Sequence, residues 1–235
     1  MDGQLQREFR RNGYFTVERA LAPSELNGLR DACDALLSEA PVDGGSRFHD
    51  IGRGDARRFL RHRHRDFPAV EGVVFGAAAR GLASMALCEP LYLFNEQFVV
   101  KSARTGASFA WHQDSAYVGF EHEPYVTLWI ALDDTDVKNG CVYVLPRDLD
   151  RERQIEPHRW DPVGKEKVGY EGPDAGIAVE VSAGSVLVFS SLTLHRSGAN
   201  TTDHARRAYI CQYSSVPILD PATGAPKHFA TRVQP

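Results

Sequence analysis

Two hydrophobic rhythms divide the chain. After Pro23, Leu26, Leu29, Cys33, Leu36 and Leu37 recur every three or four residues, the spacing of one buried helix face, and Pro23 and Glu25 stand where a first helical turn favours them. A second helix is expected after Pro68, burying Val70, Val73, Val74, Ala77, Ala78 and Met85. Beyond Pro90 the rhythm changes. Leu91–Lys101, Tyr125–Leu132, Cys141–Leu145, Ile177–Val181, Ser185–Phe189 and Arg206–Val216 are short and rich in aromatic and β-branched residues, and turn residues separate them, which is how strands read. Helices followed by many short strands predict a mainly β fold with flanking helices. Two facing antiparallel sheets would form a double-stranded β-helix, the cupin-like jelly roll.

The 235 residues contain no low-complexity linker, so a single domain spanning 1–235 is expected, helical over about 1–90 and jelly roll over about 91–216. Two segments read as loops around the barrel mouth. Residues 43–66 concentrate Arg47, Arg53, Arg57, Arg58, Arg61, Arg63 and Arg65, and residues 147–176 are charged and punctuated by proline and glycine. A cationic loop at the mouth would draw in an anionic substrate, with Arg61 a candidate contact; a solvated surface is the plainer alternative.

A hydrophobic content of 43% and a charged content of 25% are those of an ordinary soluble enzyme. The net charge of -4 offers nothing global to nucleic acid. No apolar run was found to reach the roughly 18 residues of a membrane span, and the first residues lack a signal-peptide core, so no membrane partner and a cytoplasmic location are expected. Cys33, Cys88, Cys141 and Cys211 are scattered, which suits reduced, buried thiols better than disulfides or a zinc knuckle.

The candidate chemistry lies at His112-Gln113-Asp114 and His195. On one strand, side chains two apart share a face, so His112 and Asp114 can hold one metal, with His195 delivered by a second strand after Gly184. Two imidazoles and one carboxylate leave coordination positions open, as Fe(II) oxygenases require and closed structural zinc sites do not. Arg206 follows His195 by 11 positions; a hairpin over Gly198–His204 would return it beside His195, where its guanidinium could grip a carboxylate held at the metal. His62-Arg-His64 could imitate a metal pair, but surrounding arginines oppose a dication, and Glu121-His-Glu123 reads as an exposed turn. No phosphate loop, nucleophile elbow or Cys/His dyad is found.

Trp111-His-Gln-Asp114, Asn139-Gly-Cys-Val-Tyr-Val-Leu-Pro146 and His195-Arg-Ser-Gly-Ala-Asn200 followed by Arg206-Arg207 together resemble the phytanoyl-CoA dioxygenase family of Fe(II)- and 2-oxoglutarate-dependent oxygenases. Phe9–Val17 and Leu21–Leu26 are similar to that family's opening strand and helix start. The resemblance implies an iron triad of His112, Asp114 and His195, with Arg206 and Ser197 on the distal carboxylate of 2-oxoglutarate and Gln113 and Trp129 lining the cosubstrate pocket. It also implies that the strand Leu91–Lys101 lies inside the barrel, so that Asn95, Gln97 and Lys101, which share a face with Val99, become candidates for cosubstrate or substrate contact. A solvated face is the other reading of that alternation. The chain departs from the family where Arg147-Asp148-Leu149 replaces the usual Gly-Ser-His after Pro146. The implied reaction consumes O2 and 2-oxoglutarate, releases succinate and CO2, and hydroxylates a small molecule; desaturation, epimerisation or ring formation would need the same ligands. A cupin-like metal-dependent isomerase or hydrolase without redox chemistry, or a non-catalytic binding module, would share the fold but leave Arg206 no cosubstrate to hold.

Overall fold

The structure, a computed structural model, describes residues 2–38, 56–87 and 89–234. Its elements run α1 (Asp2–Asn12), β1 (Tyr14–Val17), α2 (Pro23–Ser38), β2 (Arg57–Arg61), α3 (Pro68–Val74), α4 (Ala77–Ala86), β3 (Tyr92–Lys101), β4 (Phe109–His112), β5 (Val126–Ala131), β6 (Val142–Val144), β7 (Arg159–Asp161), β8 (Glu166–Val168), β9 (Ile177–Val179), β10 (Val186–Ser190), β11 (His195–Ser197), β12 (Arg206–Ser214) and β13 (Thr231–Arg232). A seven-stranded sheet in the order β1-β10-β5-β12-β3-β13, with β2 also on β3, faces a four-stranded sheet ordered β4-β11-β6-β9. All pairings in both are antiparallel. This is the jelly roll that the strand pattern predicts.

Period-two alternation decides what each face of the large sheet does. One set of side chains, Leu60, Phe98, Val100, Val186, Val188, Tyr209 and Tyr213, packs on Leu29, Cys33, Leu36, Val70, Val74 and Leu82 of the helices. The other set, Trp129, Ala131, Leu187, Phe189 and Ala208, meets Val142, Val144 and Val179 of the small sheet and lines the barrel. Each layer thus removes apolar surface from water on one side, and the barrel end not filled in this way remains as a cavity. Glu96 lies on the helix-facing side of β3 and is fully buried; the His64 backbone N–H and the Tyr209 hydroxyl donate to it, and the His64 ring lies beside it.

Several sequence expectations are corrected here. The helix after Pro68 is two helices, broken at Phe75–Gly76, where a Cβ at Gly76 would meet the Gly72 carbonyl at 2.4 Å. Taken together, Pro68–Ala86 does reach the length and mean hydropathy (1.2) of a membrane span, contrary to the expectation, but its apolar residues Val70, Val73, Val74, Leu82 and Ala83 are consumed by the core. The arginine-rich stretch is not a loop throughout: Arg57–Arg61 forms β2, because Phe59 and Leu60 both find buried sites against β3. Arg47 and Arg53 lie outside the described residues. The α-helices of the described residues do fall within 1–90, but the barrel is not confined to 91–216, since β1, β2 and β13 all join the large sheet. Phe9–Asn12 closes α1 rather than opening a strand. Within 147–176 a short β7–β8 hairpin forms. Cys33, Cys141 and Cys211 are buried free thiols, as expected; Cys88 is not among the described residues.

Candidate functional site

The metal candidates are built by three short pieces of chain. β4 ends at His112, and Asp114 opens a 3-10 turn (Asp114–Tyr117) rather than continuing the strand. The i, i+2 argument survives because Gln113 keeps an extended backbone (φ -109°, ψ 134°). β11 then lies antiparallel to β4 with His195 directly opposite His112. Nε2 of His112 and of His195 stand 3.7 and 3.6 Å from Asp114 Oδ1, and the ligand atoms of all three lie within 4.8 Å of one another. Among the described residues they form the one such group.

Each imidazole is oriented from behind. His112 Nδ1 lies 2.8 Å from the Ala110 carbonyl and His195 Nδ1 3.0 Å from the Thr193 carbonyl, so each Nδ1 donates to a carbonyl and each Nε2 is turned toward Asp114. Burial, then the neighbouring His112, lowers His195 to about 4, so its ring is neutral and ready to ligate near pH 7. Burial pushes Asp114 upward, but His195, His112 and the Thr127 hydroxyl outweigh it and leave the carboxyl at about 2. A neutral His195 and an ionised Asp114 are in the protonation states a divalent metal needs.

Arg206 is brought to the site by a different route from the one expected. No hairpin joins β11 to β12: residues 198–205 cross from the small sheet to the large one, where Arg206 pairs with Lys101 of β3. The guanidinium therefore faces the metal triad from the opposite wall of the barrel. Among the described residues only Nη2 has a partner, the Gly140 carbonyl at 3.0 Å; Nε and Nη1 are buried and unpartnered, and the guanidinium lies over Trp129 at 5.5 Å. Gly140 has φ +86°, and a Cβ there would strike the Gly198 carbonyl at 2.5 Å, so only glycine allows these two backbones to approach. Lys101 donates its Nζ to that Gly198 carbonyl. Burial lowers Arg206 to about 10 and holds Lys101 well below its usual range. A desolvated guanidinium with two donors left over, and the Lys101 Nζ beside it, call for an anion of more than one oxygen.

The cavity is lined by His112, Asp114, His195, Arg206, Lys101, Ser197 and Trp129, and by Asn95, Gln97 and Arg61, all named from sequence. β3 thus turns Asn95, Gln97 and Lys101 inward, not to solvent. Gln113 is the exception. It does not line the cavity: its amide donates to the carbonyls of Leu192 and Gln154 and accepts from the Glu156 N–H at 2.6 Å, tying the 147–176 segment to β4. Arg147, where the chain departs from the family pattern, is buried and holds the same segment through the Glu152 and Gln154 carbonyls and the Glu156 carboxylate. The segment is docked, not merely solvated surface.

Sequence reasoning missed Thr127 and Gln212, which both hydrogen-bond Asp114, and His228, which enters the cavity from the C-terminal segment. Gln212 was findable as the inward alternate of Arg206, Ala208 and Ile210. His228 carries no periodicity at all.

A profile of the phytanoyl-CoA dioxygenase (PhyH) family matches residues 9–208. The 2-aminoethylphosphonate dioxygenase of Uncultured bacterium HF130_AEPn_1 is 28% identical over 62% of this chain, a match spanning about half (54%) of that protein. The L-proline trans-4-hydroxylase of Streptomyces griseoviridis is 25% identical over 93% of this chain and 86% of its own length. The crystal structure of EvdO2 from Micromonospora carbonacea var. aurantiaca superposes with a TM-score of 0.74 at 25% identity, covering 96% of this chain and 97% of that one. With an open two-histidine, one-carboxylate cluster facing an unsatisfied arginine inside a jelly roll, the chain belongs to the phytanoyl-CoA dioxygenase family and is a non-haem iron, 2-oxoglutarate-dependent oxygenase.

Proposed function

We propose that the protein hydroxylates a small-molecule substrate, with His112, Asp114 and His195 holding Fe(II) and with Arg206 gripping the distal carboxylate of 2-oxoglutarate. The observation that carries this reading is Arg206, which lines the cavity that holds the triad and whose Nε and Nη1 are buried without hydrogen-bond partners among the described residues. Iron bound there would supply, with 2-oxoglutarate and O2, the oxidising power for C–H hydroxylation coupled to release of succinate and CO2. The rest is the protein's task. Trp129 backs the guanidinium, Lys101 stands beside it, and Ser197 offers a hydroxyl from the facing small sheet. The 147–176 segment is docked beside the triad: His158 Nε2 accepts the Gln113 N–H, and Gly169 N–H donates to Trp111 O at 2.7 Å.

Small-molecule chemistry is supported by the relatives, one named for an aminophosphonate and another for L-proline. A non-redox isomerase or hydrolase would have no use for the unsatisfied guanidinium. The test is stoichiometric: purified protein given Fe(II), O2 and 2-oxoglutarate should form succinate in step with 2-oxoglutarate lost, and no succinate should appear under nitrogen. Oxygen-independent turnover, or none with metal and 2-oxoglutarate both bound, would return the site to the non-redox reading.

A further inference from the structure

The cavity holds a second cationic end, which the cosubstrate does not reach. Strand register separates the two: Arg206, Lys101 and Arg57 form one row across β12, β3 and β2, whereas Arg61 pairs with Gln97 and Ile210 in a row four residues nearer the other end. At roughly 3.3 Å per residue this is about 13 Å along the sheet, so the anion at Arg206 leaves Arg61 untouched.

Arg61 donates Nε to Gln97 Oε1 at 3.1 Å, which fixes the guanidinium plane, and no carboxylate is paired with it among the described residues. Burial lowers its proton affinity, so its charge is desolvated and unbalanced. Beside it stands His228, in ring contact with His62 and Phe94 and with no hydrogen-bond partner among the described residues. Burial, then His62 and Arg61, lowers His228 to about 4, so near pH 7 it is a neutral ring with one N–H to donate. Facing this polar corner is an apolar wall of Phe94, Val118 and Tyr125 that continues toward Asp114. Among the described residues the surroundings of the pair are cationic or neutral: Arg57 is matched by Glu166, Glu96 faces His64 on the far side of β3, and Asn95, Gln97, His62 and Lys227 are the other polar neighbours.

Resting on the oxygenase reading above, we propose that Arg61 and His228 form an oxyanion subsite for the primary substrate, which carries a carboxylate or phosphonate at one end and an aliphatic portion that lies along Phe94 and Val118 toward the metal. A planar fork plus one N–H matches two oxygens of such a group, and the apolar wall rewards a carbon chain rather than a second charge.

The test uses protein saturated with Fe(II) and 2-oxoglutarate without oxygen, so that Arg206 is already occupied. The probes are propionate and methylphosphonate, each set against a neutral counterpart, propionamide and dimethyl methylphosphonate, titrated calorimetrically. At least one anion should bind ~10-fold or more tighter than its neutral partner. Arg61→Gln should abolish that preference, Arg61→Lys retain part of it, His228→Gln weaken it, and Arg58→Gln, on the opposite face of β2, leave it intact. Which anion binds better identifies the headgroup. Equal binding of charged and neutral probes, no binding of either anion, or a preference that survives Arg61→Gln would overturn the subsite while 2-oxoglutarate still bound. Failure of 2-oxoglutarate itself to bind the iron-loaded protein would instead overturn the oxygenase reading and the subsite with it.

Discussion

Gln212 donates its side-chain Nε2 to Asp114 Oδ2 over 2.9 Å, and the same carboxylate oxygen accepts the Thr127 hydroxyl at 2.7 Å. Oδ2 is thereby occupied from β12 and β5, and Oδ1 is the oxygen left facing the two imidazoles. The arrangement extends outward without a free choice of protons: Asn95 Nδ2 donates to Gln212 Oε1 at 2.9 Å, so Asn95 Oδ1 must accept from His62 Nε2 at 3.0 Å. Gln212→Leu should therefore leave the barrel folded but weaken Fe(II) binding about 10- to 100-fold, as loss of a group orienting a ligand does. Thr127→Val should act in the same direction. Metal titration followed by equilibrium dialysis reads this, and an unchanged iron affinity in both variants would mean that Asp114 needs no orientation.

Removal of any one ligand acts on the metal rather than on the fold. His112→Ala, Asp114→Ala and His195→Ala should each lose stoichiometric iron while keeping the wild-type circular dichroism spectrum, because the triad lines a cavity rather than joining the packed clusters of either face. A variant that still bound one iron per chain with wild-type affinity would remove that residue from the ligand set.

Lys101 gives a pH signature. Burial, reinforced by Arg206 and Arg57, holds it well below its usual range in the folded chain, whereas an unfolded lysine titrates at about 10.4. Between those values the unfolded chain binds more protons, so wild-type stability rises with pH across the window. Lys101→Met, which keeps the length and discards the charge, should be the more stable protein near neutrality without ligand, with an advantage that shrinks as pH approaches about 10. With saturating 2-oxoglutarate the order should reverse. Melting temperatures of both proteins across pH provide the comparison, and parallel curves would show that Lys101 is already neutralised by something else.

Gln113 predicts a change in loop behaviour. Gln113→Leu strips the partner from the N–H of Glu156 and leaves the carbonyls of Leu192 and Gln154 to Arg147 alone, a cost of about 1–3 kcal/mol. Arg151 and Arg153 are exposed nearby, so limited trypsin digestion within 147–176 should accelerate well before global unfolding does. Equal cleavage rates in the two proteins would assign the anchoring to Arg147 alone.

Local patterns were the legible part of this chain. Alternation along Tyr92–Lys101 and Arg206–Ser214 announces which side chains enter the barrel, and the His-x-Asp spacing survives even though the strand stops at His112, because one extended residue suffices to bring Asp114 round. What could not be read was the path between sheets. Arg206 follows His195 closely in sequence, which suggests a hairpin, yet a jelly roll alternates its strands between two sheets, so the pair meet across the barrel and not along a shared edge. Gln113 was misassigned for a related reason: its side chain points opposite to those of its neighbours by the same alternation that unites His112 with Asp114. The strand in the arginine-rich stretch was hidden because its three arginines flank only two adjacent apolar residues, with no alternation to announce it, and His228 enters through a turn-rich segment whose position nothing local specifies.

The most direct measurement is the affinity of the Fe(II)-loaded protein for 2-oxoglutarate, by calorimetry without oxygen, in the wild type and in Arg206→Gln and Arg207→Gln. Arg207 is the control next door, engaged outside the cavity by Asp133 at 2.8 Å and Asp34 at 2.6 Å. Loss of a buried charge-assisted pair predicts about 30- to 1000-fold weaker binding in Arg206→Gln. Arg207→Gln should bind 2-oxoglutarate as the wild type does and lose only stability. Wild-type affinity in Arg206→Gln, or a larger loss in Arg207→Gln, would contradict the assignment of Arg206 to the cosubstrate.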